Sequence, residues 1–121
     1  MPRFVVLEHD HPTLHWDFML EAGPVLRTWR LSAVPELGRS IAAAALPDHR
    51  LMYLDYEGPV SGNRGRVSRW DSGVYSWSEN REDRVSVMLE GNRFKGMVTL
   101  TQEEGGAWTL TCPPEKNQPR S

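Results

Sequence analysis

The histidines of this 121-residue chain are concentrated in two short segments. His9, His11 and His15 lie within nine residues that end at Asp17, and His49 stands apart. Imidazole nitrogens and carboxylate oxygens are the usual protein ligands of borderline divalent metals. The segment from His9 to Asp17 is therefore the first candidate for chemistry.

A strand would place His15 and Asp17 on one face, because side chains two positions apart project to the same side. Trp16 would then project to the other face and anchor the strand in the core. His9 precedes His15 across a predicted turn, so a neighbouring strand end can bring it to the same spot. Two imidazoles and one carboxylate suit Mn²⁺, Zn²⁺ or Fe²⁺. The alternative is a set of surface histidines with an aspartate that caps a turn.

The elements that must position these residues are short strands. Apolar or alternating runs predict strands at 4–7, 14–20, 25–31, 41–45, 51–56, 67–70, 73–77, 84–90, 93–101 and 107–111. The alanine-rich tract 41–45 is also compatible with one isolated helical turn before Pro47. Turn residues crowd the stretch 58–65 and separate later strands at Asp71-Ser72-Gly73, Gly91-Asn92 and Gly105-Gly106. This pattern predicts a mostly β fold with little helix, a barrel or a sandwich.

The composition predicts one domain over residues 1–112, followed by a flexible polar tail at 113–121. The single cysteine, Cys112, has no disulfide partner, and no apolar run approaches 18 residues. We therefore expect a cytoplasmic protein without a membrane partner. The formal net charge of −2 excludes a broad basic surface of the kind used by sequence-blind duplex binders. Any contact with nucleic acid must be local.

The segment His9-Asp10, four residues, His15-Trp16-Asp17-Phe18-Met19-Leu20-Glu21 resembles the signature of the 3′-phosphoesterase domain of bacterial DNA ligase D. The resemblance extends through Val25-Leu26-Arg27-Thr28-Trp29 and through Asp48-His49, three residues, Tyr53, two residues, Tyr56-Glu57-Gly58. Later glycine and tryptophan positions, including Trp70-Asp71, Gly73, Gly91 and Gly96, keep the same order, so the similarity runs from Phe4 to about Leu110.

This resemblance implies a compact, closed or partly closed antiparallel β-barrel that uses Mn²⁺ to process the 3′ ends of DNA in break repair. Such a domain removes a 3′-terminal ribonucleotide or a 3′-phosphate. By matching position, His9, His15 and Asp17 are the expected metal ligands, while His49 and Tyr53 are the expected catalytic residues at the scissile phosphate. Tyr53 lies four residues after His49, so we expect both on one strand with their side chains on the same face. The implied partners are DNA 3′ ends and the repair ligase and polymerase machinery.

The chain also departs from the resemblance at basic positions that would contact phosphate. Met19 stands where the similar sequences have arginine, and Ala33 and Ile41 fall near two further basic positions, although an insertion or deletion loosens that alignment. Arg64 and Arg66, in the glycine-rich loop, are the candidate replacements for phosphate binding. Arg30, Arg50 and Arg69 could also contribute.

These departures leave two further functions open. One is a metal-bearing module with weakened catalysis that binds nucleic-acid ends or a partner protein, and the other is a phosphoesterase for a small phosphorylated metabolite. His11 is an extra residue outside the motif and could be a ligand in place of His9. Cys112 is expected to fill the core rather than act as a nucleophile, and Trp70 and Trp77 are expected in the core rather than at a base-stacking surface.

Overall fold

A computed structural model describes residues 1–114 of the chain. Nine strands lie within this range, β1 Arg3–His9, β2 His15–Ala22, β3 Val25–Leu31, β4 Ser40–Arg50, β5 Gly58–Pro59, β6 Arg66–Asn80, β7 Arg84–Gly91, β8 Lys95–Gln102 and β9 Trp108–Thr111. The described elements also include one 3₁₀ helix, Leu51–Leu54, and no α-helix. The expected tail lies outside the described residues from position 115 onward. Among residues 1–114, no helix is long and apolar enough to span a membrane.

The strands form a closed antiparallel barrel. Hydrogen-bonded neighbours follow the order β1, β2, β3, β4, β9, β8, β7, β6, and β1 pairs with β6 to close the ring. The short β5 adds to the edge of β6 outside this ring of eight. Closure removes the unpaired strand edges that an open sheet would expose. The mostly β class and the barrel are confirmed.

Alternating side chains on the strands divide the apolar residues into two cores. The larger core fills the barrel and includes Phe4, Phe18, Trp29, Leu100 and Leu110, all at most 1% exposed. The smaller core lies on the outer face of β1, β2, β3 and β6 and consists of Val5, Leu7, Met19, Leu26, Leu54 and Val67. The segment that follows β4 covers this outer core, with Leu54, Tyr53, Tyr56 and Val60 packed against it. One stretch of sheet is therefore buried on both sides.

Two predicted elements are wrong. Residues 51–56 were expected to form a strand, but Leu51–Leu54 forms a 3₁₀ helix. Tyr53, Leu54 and Tyr56 pack onto the outer core from this segment, and none of residues 51–56 pairs with a strand. The preceding strand, β4, continues through Pro47 and ends at Arg50, directly before this helix. Proline is accommodated beside an irregularity in the β3–β4 register, where its missing N–H is not needed.

The turn predicted at Asp71-Ser72-Gly73 is also absent from the described fold. These residues lie inside β6, a 15-residue strand that pairs with β1 and then with β7. The buried carboxylate of Asp71 accepts hydrogen bonds from the backbone N–H groups of Ser72, Asn92, Arg93 and Phe94 at 2.8–3.0 Å. Asp71 thus stabilises the distant β7–β8 turn.

The remaining predictions for single residues fared differently. Cys112 is 1% exposed in the barrel core, and burial raises the pKa of its thiol, as expected for an inert filler. Trp70 packs partly buried against the barrel core. Trp77 was expected in the core but is 38% exposed, with its ring against Tyr75.

Replacing Asp71 by alanine should lower the free energy of unfolding by about 3 kcal/mol or more, because several backbone N–H groups lose a charged acceptor. Chemical denaturation would measure the loss. The control is Asp83→Ala, an exposed aspartate in the β6–β7 turn, which should change stability by no more than about 0.5 kcal/mol. Equal stability of the two variants would contradict the role assigned to Asp71.

Candidate metal and phosphate site

The β1–β2 hairpin brings His9 and His15 together. They are the last paired residues before the connecting loop, and their ring centroids are 4.8 Å apart. Asp17 follows two positions after His15 on the same outer face, as the strand periodicity predicts. One ligand atom from each of the three residues lies within 4.8 Å of the others. The predicted triad therefore meets in space.

Two backbone carbonyls fix the orientation of the imidazoles. His9 Nε2 lies 2.9 Å from the carbonyl oxygen of Arg64, and His15 Nδ1 lies 2.9 Å from that of Thr13. A carbonyl oxygen only accepts hydrogen bonds, so each of these ring nitrogens must carry the proton. In the neutral imidazoles this leaves His9 Nδ1 and His15 Nε2 with free lone pairs. Hydrogen bonds of this kind commonly orient metal-ligating histidines.

Both free nitrogens face the carboxylate of Asp17. His9 Nδ1 is 3.5 Å from Oδ2, and His15 Nε2 is 3.2 Å from Oδ1. Asp17 is only 3% exposed, and its Oδ1 has no hydrogen-bond donor among the described residues. With both imidazoles neutral, three acceptors converge around the nearly buried Asp17, and they repel one another unless a cation or a further proton lies between them. The donor set, two imidazoles and a carboxylate, fits a divalent transition metal.

His49 and Tyr53 lie close to each other, but not for the expected reason. They were expected on one strand, whereas His49 lies near the end of β4 and Tyr53 in the 3₁₀ helix that follows. Their rings meet edge to face at 5.8 Å. His49 Nδ1 donates to the carbonyl oxygen of Pro47 at 2.8 Å, so Nε2 is the ring nitrogen that remains available to a substrate.

One pocket is lined both by members of the triad and by His49 and Tyr53. It has a volume of about 240 Å³ and is lined by Leu7, His9, His11, Pro12, Asp17, Met19, Arg30, His49, Tyr53, Val60, Arg64 and Val67. It lies on the outer face of the barrel, over the smaller core. The reason is that His15 and Asp17 alternate with Phe18, which occupies the interior.

The two candidate phosphate-binding arginines line different hollows. Arg64 lines the pocket, and its guanidinium donates to the Ser61 carbonyl and hydroxyl oxygens at 2.7 and 3.2 Å. Arg66 lines a neighbouring hollow with Glu8, Asp10 and Glu57. His11 lines the pocket but lies outside the triad, with its ring 6.5 Å from that of His9.

Met19, Ala33 and Ile41, the residues at or near the positions where the resemblance would place basic side chains, are all at least partly buried. Met19 is 1% exposed and packs in the smaller core at the pocket floor. Ile41 is 2% exposed, belongs to the barrel core and does not line the pocket. Ala33 is half-buried against the barrel core.

Arg30 is a second basic residue of the pocket, and its position beside Asp17 was not predicted. The β2–β3 hairpin pairs Ala22 with Val25 across Gly23 and Pro24, and the same register pairs Asp17 with Arg30. Counting back from a two-residue turn at Gly23-Pro24 would have found this pair. Two arginines thus line the pocket, whereas the chain lacks basic side chains at the three positions where the resemblance would place them.

Gly65 allows the loop before β6 to approach the β1–β2 loop. Its φ is +77°, and a Cβ there would lie 2.2 Å from Asp10 Oδ1 and 2.6 Å from His11 Cβ. The close approach lets the Arg64 carbonyl reach His9. A backbone position with positive φ and no space for a side chain requires glycine.

Comparison with known proteins identifies the family. The model of the DNA ligase D 3′-phosphoesterase domain matches residues 7–102. The chain belongs to this family. It is 32% identical over 114 residues to the multifunctional non-homologous end joining DNA repair protein LigD of Mycobacterium tuberculosis, with 87% of this chain and 15% of that protein covered. The corresponding protein of Pseudomonas aeruginosa is 30% identical over 104 residues, with 78% and 12% covered.

This member of the DNA ligase D 3′-phosphoesterase family therefore spans about 15% of the length of the Mycobacterium tuberculosis relative. The matched range contains His9, His15, Asp17, His49 and Tyr53. It also contains Arg30, Arg64 and the glycine that brings the loops together. The whole pocket thus lies within the region that defines the family.

Substituting Gly65 by alanine should lower the affinity of this family member for Mn²⁺ by tenfold or more, because the added Cβ pushes the Arg64 carbonyl away from His9. Loss of a group that orients a metal ligand typically costs about 10- to 100-fold in affinity. Isothermal titration with Mn²⁺ would measure the change.

The matched control is Gly62→Ala. Gly62 has a similar φ of +75°, but its Cβ would meet only the Arg64 side chain at 3.4 Å, so both variants carry comparable backbone strain. We expect Gly62→Ala to change Mn²⁺ affinity much less. Equal loss in the two variants would attribute the effect to strain and contradict the role of the close approach.

Proposed function

We propose that this chain is a divalent-metal-dependent phosphoesterase that removes a 3′-terminal ribonucleotide or a 3′-phosphate from DNA ends. The observation that carries the proposal is the convergence of His9, His15 and Asp17, of which His9 and Asp17 line one pocket with His49, Tyr53 and two arginines. Family membership supports the same class of reaction. We propose residues 1–112 as the single domain that performs it.

In this proposal, His9 Nδ1, His15 Nε2 and a carboxylate oxygen of Asp17 hold the metal, with Mn²⁺ as the expected ion. A bound metal of this kind polarises a phosphoryl oxygen and lowers the pKa of a coordinated water. The carbonyl oxygens of Thr13 and Arg64 keep both imidazoles in the ligating tautomer. Asp17 then contributes a charge that the metal neutralises.

His49 and Tyr53 act on the phosphate. Since His49 Nδ1 is bonded to Pro47, proton exchange with the substrate goes through Nε2. In hydrolysis, a water oxygen forms a new bond to phosphorus while the bond from phosphorus to the leaving oxygen breaks, and the imidazolium form of His49 donates its Nε2 proton to that leaving oxygen. The phenol of Tyr53 donates a hydrogen bond to a non-bridging phosphate oxygen. Arg64 adds positive charge at the pocket wall, although Ser61 holds its guanidinium.

The charges around the pocket suit an anionic substrate in a protein whose net charge is −2. Asp17 is the sole carboxylate that lines the pocket among the described residues, beside two arginines and three histidines. The acidic residues Glu8, Asp10 and Glu57 line a separate hollow. Because the relatives are named for end joining, we propose that the substrate is a DNA end, presented together with repair ligase and polymerase machinery.

End processing by this protein should require both metal and His49. The metal-stripped chain is incubated with a labelled primer-template that ends in a 3′-phosphate or a 3′-ribonucleotide, with and without Mn²⁺. We expect trimming only with Mn²⁺, none with His15→Ala, and a roughly 100-fold or larger loss of kcat with His49→Ala, the usual range for a lost acid-base group. Absence of turnover with Mn²⁺ bound would contradict the enzyme and leave a metal-bearing binding module.

His9, and not His11, should be the metal ligand. His9→Ala should weaken Mn²⁺ binding by more than about 100-fold, because a direct ligand is lost rather than a supporting group. His11→Ala should leave the affinity nearly unchanged, since its ring lies outside the triad. Isothermal titration compares the two variants. The reverse order of affinities would place the other histidine on the metal.

A further inference from the structure

Arg30 occupies a particular position in the ladder of strands on the outer face. It pairs with Asp17 on β2 and with Ala44 on β4, so it lies one strand away from the candidate metal ligand. Directly paired residues on neighbouring antiparallel strands have Cβ atoms about 4.5–5.5 Å apart. A guanidinium on this stem is therefore within reach of any group held at Asp17.

The guanidinium of Arg30 has no partner among residues 1–114. The described residues give it neither a hydrogen bond nor an ion pair, whereas the other pocket arginine, Arg64, is held by Ser61. Five other arginines form ion pairs with carboxylates, namely Arg3 with Asp55, Arg39 with Glu36, Arg69 with Glu57, and Arg81 and Arg84 with Glu79. Arg30 differs from these in that it lines the pocket and forms no ion pair among the described residues.

Arg30 also lines two hollows at once. It is part of the 240 Å³ pocket with His9, Asp17, His49 and Tyr53. It is equally part of a second hollow of about 350 Å³, whose walls include Thr13, Leu14, His15, Ser32 and residues 42–44. Ala44 carries only a methyl group and leaves space beside the guanidinium. An anion between Arg30 and the triad would be reachable from both sides.

We propose that Arg30 is the residue that binds and positions the substrate phosphate beside the triad of His9, His15 and Asp17. A guanidinium presents paired N–H donors that match two phosphate oxygens, whereas the thioether of Met19 offers none. A bound phosphate would offset the charge of both Arg30 and the metal. This inference rests on the proposed function, and it assigns a role that depends on the β2–β3 register of this chain.

The first test measures steady-state kinetics of Mn²⁺-loaded protein on the 3′-phosphate primer-template. Arg30→Ala should reduce kcat/KM by about 10- to 100-fold, as expected for a lost charge-assisted phosphate contact, with much of the change in KM. Arg30→Lys should recover part of the loss, since a lysine keeps the charge without the paired donors. The control is Arg81→Ala, which removes the same charge from the β6–β7 turn. Equal kinetics of Arg30→Ala and Arg81→Ala would overturn the proposal.

The second test leaves Arg30 in place and blocks it. Ala44→Glu puts a carboxylate opposite the guanidinium on the neighbouring strand, where the two can form a cross-strand ion pair. This variant should reproduce the loss seen with Arg30→Ala. Ala44→Gln has nearly the same size without the charge, and it should retain most of the activity. Equal effects of the two Ala44 variants would overturn the assignment by pointing to steric obstruction.

The third test separates this inference from the proposed function, because it needs no turnover. Binding of a 3′-phosphorylated oligonucleotide to metal-free protein is followed by fluorescence anisotropy over a range of salt concentrations. Arg30→Ala should weaken binding and make the salt dependence shallower by about 0.7 in logarithmic slope, the value for one phosphate contact on a single strand. Arg81→Ala should not.

The outcomes are distinguishable. Wild-type binding that depends on Arg30, without turnover, supports phosphate binding by Arg30 and refutes the enzyme. Turnover that depends on His15 but is insensitive to Arg30 supports the enzyme and refutes the role of Arg30. Absence of oligonucleotide binding by the wild-type protein, with or without Mn²⁺, also refutes the role of Arg30. Far-ultraviolet circular dichroism and Mn²⁺ affinity verify that each variant is folded.

Discussion

The candidate site depends on one constraint, the convergence of three hydrogen-bond acceptors that have no donor between them. The hairpin sets His9 opposite His15, and the carbonyl oxygens of Thr13 and Arg64 turn a lone pair of each ring toward Asp17. A buried carboxylate beside two imidazole lone pairs is unfavourable by itself. A divalent cation held by these groups would reverse that repulsion, and the surrounding loops maintain the arrangement.

The location on the outer face of the barrel explains the second apolar core. A pocket on an exposed sheet would have a wet floor, in which electrostatic interactions are weakened. Here the segment after β4 packs Leu54 and Tyr53 over Leu7 and Met19, so the pocket has an apolar floor and a partial wall. The same segment carries Tyr53, which lies beside His49 at the end of β4. The chain from the end of β4 through the 3₁₀ helix therefore both covers the sheet and lines the pocket.

Much of the site could be predicted from the sequence, since His15 and Asp17 obey strand periodicity and His9 needs only a hairpin. The relation of His49 to Tyr53 could not be, because apolar spacing at 51–56 is compatible with a strand, and packing on the outer core selects a 3₁₀ helix. Asp71 looked like a turn residue, yet its carboxylate binds a turn about twenty residues away, which no local pattern indicates. Arg30 was recognisable as basic, but its position beside Asp17 follows from register.

The most direct test of the central claim is the nitrogen chemical shifts of the four imidazoles by nuclear magnetic resonance, in metal-free protein and after addition of diamagnetic Zn²⁺. The account predicts that neutral His9 carries its proton on Nε2 and neutral His15 on Nδ1, as their carbonyl partners require. It predicts that Zn²⁺ shifts His9 Nδ1 and His15 Nε2 while His11 changes little. The same tautomer in both histidines, or no response of these two nitrogens to Zn²⁺, would contradict it.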